Sequence, residues 1–222
     1  MPEEHATGPT TCEWEITLAC DLSCEHCCAR AGRPRAHELS GDEALSLAAG
    51  IAGAGCRAVT LTGGEPLLRK DWPIIAAGLS GRGVFVAVST SGSRVDRETA
   101  RAMRSAGIEA ASVSLAGTER VHDGIRGRRG SFAGAVRAVG LLGEAGIDAG
   151  FATTVTRRNR MDLERMAGTV ADSGASFWKV ILGAPSGLRR PGLWIGPAGV
   201  AGLVREIADL QRSSPVEVIP GD

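Results

Sequence analysis

The sequence predicts an α/β fold built on a parallel sheet, and three features support that prediction. Short apolar, β-prone runs alternate with stretches of helical length, which is typical of β/α units around parallel strands. Several helical stretches end in Ala-Gly or Ser-Gly, where a glycine in the left-handed conformation is expected to close the helix. Six such units fit in the 222 residues, against the eight of a closed TIM barrel. The closing glycines are Gly55, Gly107, Gly146 and Gly174.

The elements follow one another along the chain without a linker or a low-complexity tract. Ser40 and Glu43 form the pattern of a capping box at the start of the first helix. Since ligands of parallel α/β sheets bind at the carboxyl ends of the strands, candidate site residues are sought there. Strands are predicted at 14–18, 58–61, 84–89, 110–115, 149–156 and 177–182, and helices at 41–54, 71–79, 97–105, 131–144, 161–172 and 198–211.

Composition restricts the class of protein. Hydrophobic residues make up 43% of the chain and the formal net charge is zero, which fits a soluble globular protein without a drive toward nucleic acid or membrane. No apolar run approaches the length of a membrane span, and residues 1–11 are unlike a signal peptide. Six cysteines, four of them between Cys20 and Cys28, do not form a disulfide framework in a chain of this size. We therefore expect a cytoplasmic protein that binds neither nucleic acid nor membrane.

Three cysteines, Cys20, Cys24 and Cys27, lie within eight residues after the first predicted strand. Thiolates in one loop can bind one metal centre and leave a coordination position open, as an iron–sulfur cluster allows. A tetrahedral zinc site would need a fourth ligand at a workable spacing, and neither His26 nor Cys28 is an obvious one. Three buried, inert cysteines are the remaining alternative, which the crowded spacing disfavours in a reducing compartment.

The pattern Cys-x3-Cys-x2-Cys after the first strand resembles that of the radical S-adenosylmethionine (SAM) enzymes. In that family three cysteines bind three irons of a [4Fe–4S] cluster, and SAM chelates the fourth iron. The resemblance implies an open (β/α)6 partial TIM barrel and makes Cys20, Cys24 and Cys27 the metal ligands. It also implies an external donor of the flavodoxin or ferredoxin type, whose electron cleaves SAM to a 5′-deoxyadenosyl radical that abstracts hydrogen from a substrate. The resemblance covers roughly residues 13–211.

The second strand ends in Thr62-Gly63-Gly64-Glu65-Pro66. Glycines let the backbone approach a ligand closely, and the glutamate supplies an acceptor. The stretch resembles the family's Gly-Gly-Glu-Pro motif, in which the backbone and the carboxylate receive the amino group of SAM. The resemblance therefore implies that Gly63, Gly64 and Glu65 bind SAM. An ordinary Gly-Gly turn with a solvated glutamate is the alternative.

The third and fourth strands end in stretches rich in hydroxyl groups. The third resembles the family's Thr-Asn-Gly turn, with Ser91 where asparagine is usual; a plain serine-rich turn is the alternative. The run at 112–132 resembles the branch that often carries a C-terminal SPASM or twitch extension. It implies that Ser114 and Arg126 contact the SAM carboxylate, a contact that a guanidinium makes well. Ala116 departs from the pattern, because that branch commonly has an aspartate there.

Three further residues are implied as SAM contacts. His26 stands just before the third cysteine, where many relatives carry an aromatic residue that packs on adenine, and an imidazole can stack in the same way. Leu182, at the end of the sixth strand, suits an adenine face, and Thr154, in the fifth strand, suits a ribose contact. Simple lining of the barrel explains Leu182 and Thr154 equally well.

Basic residues are frequent in the loops after the predicted strands, which implies positive charge at the carboxyl edge of a neutral chain. We hypothesise that this charge attracts an anionic substrate, such as an acidic peptide segment or a carboxylated or phosphorylated small molecule. Solvated loops of an arginine-rich chain are the alternative. The residues are Arg30, Arg33, Arg35, Arg69, Lys70, Arg126, Arg128, Arg129, Arg157, Arg158, Arg160, Arg189 and Arg190.

The resemblance makes peptide or protein maturation the expected function, with tailoring of a small-molecule cofactor or haem precursor as the alternative. A non-catalytic iron–sulfur module or a truncated part of a larger enzyme also fits, because the branch usually continues into a cysteine-rich domain and no cysteine follows Cys56. The expected boundaries are a flexible tail at 1–12, the barrel at 13–213, and a segment at 214–222 that would start such an extension.

Overall fold

The computed structural model describes residues 8–183 and 189–221. Most of the predicted tail, the stretch at 184–188 after the sixth predicted strand, and Asp222 lie outside these residues. The described chain forms one sheet of parallel strands that follow chain order from the first to the seventh. The strands are β1 (Thr11–Thr17), β2 (Ala58–Gly63), β3 (Phe85–Thr90), β4 (Ile108–Ser114), β5 (Asp148–Val155), β6 (Phe177–Leu182) and β7 (Glu217–Gly221).

Helices connect successive strands, and the predicted open, parallel α/β architecture is confirmed. In the part of the chain that the structure describes, no helix is both long enough and apolar enough to cross a membrane. The helices are α1 (Gly41–Gly53), α2 (Trp72–Ser80), α3 (Arg97–Ser105), α4 (Glu119–Arg126), α5 (Ser131–Glu144), α6 (Leu163–Asp172) and α7 (Gly196–Ser213).

Local signals set the ends of several helices as the sequence predicts. At the start of α1 the Glu43 amide donates to Ser40 Oγ at 3.3 Å, and Glu43 Oε2 accepts from the Ser40 amide at 2.8 Å, so the capping box is present. Gly107 closes α3 with a φ of +83°, a conformation that costs little only in glycine. The predicted elements all occur, with shifts at their ends.

Two elements, α4 and β7, were not predicted. Helix α4 lies in a run of charged residues, and it buries His122 and Ile125 before Gly127 ends it with a φ of +69°. Strand β7 contains Pro220, which weakens any strand prediction but is tolerated at the edge of a sheet. Tertiary contacts form β7, since Val218 is only 5% exposed and pairs with Trp178 of β6.

A buried polar chain links three neighbouring strand segments in the core. Trp178 Nε1 of β6 donates to Thr153 Oγ1 of β5 at 2.8 Å, and that hydroxyl donates to the Leu115 carbonyl after β4 at 2.7 Å. Thr153 and Trp178 are both fully buried, so water cannot replace these bonds without opening the sheet.

The ends of β1 and β2 are in close backbone contact. The Gly64 amide donates to the Thr17 carbonyl at 2.8 Å, and a Cβ atom on Gly64 would lie 2.3 Å from the Ala19 carbonyl oxygen. A Cβ atom on Gly63, where φ is +132°, would lie 2.0 Å from the Thr17 oxygen. The two glycines therefore let β2 end directly against the segment that leads into Cys20.

Replacement of Thr153 by valine should lower the free energy of unfolding by about 1–3 kcal/mol, because the Trp178 indole and the Leu115 carbonyl would both lose a partner in the core. Urea unfolding under reducing conditions measures the change. The control is Thr60→Val, at a half-buried threonine of β2, with an expected change within about 0.5 kcal/mol. Equal stability of the two variants would contradict the prediction.

Replacement of Gly64 by alanine should destabilise the protein by about 1–3 kcal/mol, because the new Cβ would overlap backbone atoms that have no room to move. Gly50→Ala is the matched control. No atom lies within 4 Å of a Cβ atom at that position inside α1, so this change should stabilise the protein by roughly 0.5–1 kcal/mol. Thermal unfolding of both variants measures the changes, and an unaltered midpoint for Gly64→Ala would contradict the steric argument.

Candidate functional site

The residues that the sequence singles out lie at or just beyond the carboxyl ends of β1 to β6, on one edge of the sheet. Parallel strands in chain order bring these ends together, and ligands of such sheets bind at this edge. The structure thus gathers the predicted residues in one region, although they span most of the chain.

The segment at 18–32, called the cysteine loop below, follows β1 and is closed by backbone hydrogen bonds. The Cys20 amide donates to the Gly32 carbonyl at 3.0 Å, and the Gly32 amide donates to the Leu18 carbonyl at 2.9 Å. Inside the loop the Cys27 amide donates to the Cys24 carbonyl at 3.3 Å. The loop therefore carries all three cysteines on one closed turn of chain.

One backbone amide of the loop binds a thiol. Arg30 has a φ of +51°, an uncommon value for a residue other than glycine. The Ala31 amide that follows it donates to Cys27 Sγ at 3.3 Å. An amide in this position would also stabilise a thiolate, the form of cysteine that binds metal.

The thiols are free and partly or wholly withdrawn from water, and Cys24 is 8% exposed. Burial raises the pKa of both Cys20 and Cys24, while the Arg126 guanidinium acts in the opposite direction on Cys24. Within residues 8–183 and 189–221, no three Cys, His, Asp or Glu side chains converge on a point that would hold a single ion. Thiolates of a [4Fe–4S] cluster bind separate irons and need no such convergence, so the donor set fits a cluster better than one zinc ion.

Glu65, just after β2, is fully buried rather than solvated. Its carboxylate accepts from Thr90 Oγ1 at 2.8 Å, from the Ser91 amide at 2.8 Å and from Ser91 Oγ at 2.6 Å. Its own amide donates to the Ala19 carbonyl in the cysteine loop at 2.8 Å. No cationic side chain pairs with this carboxylate among the described residues, and a buried carboxylate normally requires such a partner.

Arg126 provides the opposite charge beside Cys24 of the cysteine loop. It ends α4, is 7% exposed, and has a buried Nε atom without an acceptor in the described structure. No salt bridge of the described residues includes it. The site thus holds one buried anion and one buried cation, and no protein side chain neutralises either of them in the described residues.

Two imidazoles lie near Arg126, and both are neutral. Burial, followed by the charge of Arg126, lowers the pKa of His26 to about 3 and that of His122 to about 3. His122 Nδ1 accepts from the Ala116 amide at 3.0 Å, so the proton of this ring is on Nε2. His26 Nδ1 is buried and, in the residues that the structure describes, has no hydrogen-bond partner.

The remaining predicted residues lie at the same edge of the sheet. Ser114 ends β4, Thr154 lies in β5 and Leu182 ends β6, and all three side chains are half-buried. Their side chains make no hydrogen bond in the described chain that would connect them to Glu65 or Arg126. Lining of the barrel and contact with a ligand are both compatible with these positions.

Sequence reasoning missed several polar residues that organise this edge. Thr90 binds Glu65, and Asn159, only 1% exposed, donates through Nδ2 to the Ala116 carbonyl at 3.1 Å and the Thr154 carbonyl at 2.9 Å. A signal for Thr90 was available in the hydroxyl-rich end of the third strand. Asn159 lies within a run of arginines, and nothing in that run distinguishes a buried amide from a solvated one.

Part of the expected positive charge at this edge is neutralised within the fold. Arg69 pairs with Asp71 at 2.7 Å, Arg128 pairs with Asp21 at 3.0 Å, and Arg35 pairs with Glu15. Arg158 and Arg190 both pair with Glu25. These arginines therefore hold loops of the protein, which leaves fewer of them free to attract an anionic substrate.

The family model of the radical SAM superfamily matches residues 14–170. The AdoMet-dependent heme synthase of Nitratidesulfovibrio vulgaris is 34% identical over 191 residues, which cover 84% of this chain and 52% of that protein. The mycofactocin maturase MftC of Mycolicibacterium smegmatis is 31% identical over 222 residues, which cover 99% of this chain and 56% of that protein.

Among solved structures, Streptococcus suis SuiB bound to the precursor peptide SuiA superposes with a TM-score of 0.83 at 14% identity, over 97% of this chain and 49% of that one. At this identity the likeness concerns the fold alone. The chain spans about half the length of the curated relatives it matches. The family match covers most of the chain and includes the cysteine loop, Glu65 and Arg126. The chain belongs to the radical SAM superfamily, whose members are enzymes that use a [4Fe–4S] cluster and SAM.

Proposed function

We propose that this chain is the core of a radical SAM enzyme that modifies a peptide. The observation that carries the proposal is the pair of buried opposite charges, Glu65 and Arg126, beside the cysteine loop. The amino-acid end of SAM bears an ammonium and a carboxylate group, so it can neutralise both. Burial of two unlike charges without protein partners is costly unless a ligand of this kind binds between them.

Each group of residues has a proposed task. Cys20, Cys24 and Cys27 hold the cluster, and the Ala31 amide supports the Cys27 sulfur. Glu65 binds the ammonium group of SAM. Gly63 and Gly64 have no side chains, so the ligand can approach the backbone closely. When bound, the cluster and SAM supply a 5′-deoxyadenosyl radical that abstracts hydrogen from the substrate. The surrounding chain orients the ligand and excludes water.

The other end of SAM would lie along the strand ends. Arg126 and Ser114 bind the carboxylate, His26 and Leu182 pack on the adenine, and Thr154 contacts the ribose. Ser91 acts through Glu65, since both its amide and its hydroxyl bind that carboxylate. We further propose that the barrel domain, expected at 13–213, includes the whole of β1 and β7.

The peptide substrate is supported by relatives named as maturases. Besides MftC, the sporulation killing factor maturation protein SkfB of Bacillus subtilis is 29% identical over 77% of this chain. The heme synthase similarity favours a second candidate, a haem precursor, whose carboxylates could meet those arginines that form no salt bridge among the described residues. An electron donor of the flavodoxin or ferredoxin type and a cytoplasmic location belong to the same proposal, because a thiolate-bound cluster needs reducing conditions.

The proposed chemistry predicts that anaerobically reconstituted, dithionite-reduced protein converts SAM to 5′-deoxyadenosine. Cys24→Ala should abolish the product and the cluster absorbance, because one iron would lose its ligand. Cys28→Ala is the matched control: its side chain is exposed, it lies outside the proposed ligand set, and product should still form. Chromatographic assay of 5′-deoxyadenosine measures the effect, and wild-type protein that holds a cluster but yields no product would contradict the proposed function.

Replacement of Glu65 by glutamine should weaken SAM binding by roughly ten- to a hundredfold, because a charge-assisted hydrogen bond to the ammonium becomes a neutral one. The glutamine carbonyl can still accept from the Ser91 amide and hydroxyl while its NH2 group donates to Thr90 Oγ1, so the fold should persist. Titration calorimetry with reconstituted protein measures the dissociation constant. Glu109→Gln, at an exposed position near the amino end of β4, serves as control, and equal affinities for the two variants would argue against the role of Glu65.

A further inference from the structure

Two acidic residues inside the cysteine loop are each bound by two arginines. Asp21 follows the first cysteine; its Oδ2 atom accepts from Arg128 Nη1 at 3.0 Å and lies 3.1 Å from Arg94 Nη2. Arg128 Nη2 also donates to the Asp21 carbonyl oxygen at 2.8 Å. The aspartate side chain is only 15% exposed, so these contacts are partly shielded from solvent.

Glu25, which follows the second cysteine, has the same arrangement. Its Oε2 atom accepts from Arg158 Nη1 at 2.5 Å, and its Oε1 atom accepts from Arg190 Nη1 at 2.9 Å, with 19% of the side chain exposed. The Glu25 amide donates to the Ile125 carbonyl in α4 at 3.0 Å. Both the backbone and the side chain of Glu25 therefore fix the segment between Cys24 and Cys27.

The four arginines come from four different connections of the sheet. Arg94 follows β3, Arg128 follows α4 in the β4–β5 connection, Arg158 follows β5, and Arg190 follows β6. An isolated, exposed ion pair contributes little to stability, but networks of charges with restricted geometry contribute more. Here each carboxylate is mostly buried and shared between two guanidinium groups. Asp21 attaches the cysteine loop to the segments after β3 and α4, and Glu25 attaches it to the segments after β5 and β6.

We infer that Asp21 and Glu25 are positioning residues for the metal centre: their arginine pairs hold the cysteine loop so that its three thiols keep the geometry that the cluster requires. The inference rests on the proposed function, since it takes Cys20, Cys24 and Cys27 as the ligands. Mutation of groups that orient metal ligands typically lowers metal affinity by about ten- to a hundredfold. The inference also gives a structural role to Arg128, Arg158 and Arg190, three of the basic residues in these loops.

The test compares Asp21→Asn and Glu25→Gln with the wild-type protein after anaerobic reconstitution. The rate at which a chelator removes iron should rise about tenfold in each variant, as expected for the loss of a group that orients metal ligands. The reduction potential of the cluster should also move to more positive values, because neutralising the carboxylate leaves two arginines uncompensated near the cluster. A general loss of stability would not produce that shift.

Glu144→Gln is the matched control. Glu144 also pairs with an arginine, Arg97 at 2.6 Å, but both side chains are largely exposed on the outer helices. Its iron loss and cluster potential should equal those of the wild type. Arg158→Gln removes one of the two arginines that bind Glu25. It should accelerate iron loss less than Glu25→Gln does, because Arg190 still binds the carboxylate.

The possible outcomes separate this inference from the proposed function. Wild-type rates and potentials in both acidic variants would overturn the inference and leave the proposed function intact. If Glu25→Gln does not fold, as judged by circular dichroism, the double variant Arg158→Gln/Arg190→Gln decides, because it removes both partners of the carboxylate, and a wild-type rate of iron loss in that variant overturns the role of Glu25. Wild-type protein that takes up no iron would contradict both.

Discussion

The buried carboxylate of Glu65 is the interaction on which the rest of the site depends. Its amide binds the Ala19 carbonyl of the cysteine loop, and its oxygens bind Thr90 and Ser91 at the end of β3. A single residue thereby joins the ends of three strands around one negative charge. Because that charge is removed from water and no described cation neutralises it, a positively charged ligand would stabilise it, which is the role proposed for the ammonium group of SAM.

Close backbone approach makes that arrangement possible. Gly63 and Gly64 leave no space for a Cβ atom between β2 and the carbonyls that precede Cys20, so the charge of Glu65 lies directly beside the loop. Helix α4 brings Arg126 to Cys24 and also receives the Glu25 amide at Ile125. The cysteine loop is consequently next to both a buried anion and a buried cation, and arginine pairs on Asp21 and Glu25 attach it to other strand ends.

Features of this fold that depend on neighbouring residues could be predicted from the sequence. Features that depend on pairing between distant residues could not. The Ser40–Glu43 capping box and the left-handed Gly107 depend on neighbouring residues, so the sequence identifies them without knowledge of the fold. Strand β7 depends on pairing with β6, and its proline argues against a strand until that pairing is known. The spacing of Cys20, Cys24 and Cys27 was enough to predict a cluster site. The bond between Glu25 and Arg190, by contrast, joins residues 165 positions apart. No local pattern could assign one arginine among many to that glutamate.

Ala116 shows how a departure from the family pattern can be consistent with the same chemistry. Its amide donates to His122 and its carbonyl accepts from Asn159, so the backbone at this position is satisfied without an acidic side chain. The residue is 2% exposed, so an aspartate here would add a buried carboxylate that needs a partner of its own. Alanine therefore removes one acidic side chain from this edge of the sheet, while Glu65 and Arg126, the residues proposed to bind the two ends of the SAM amino acid, are both kept.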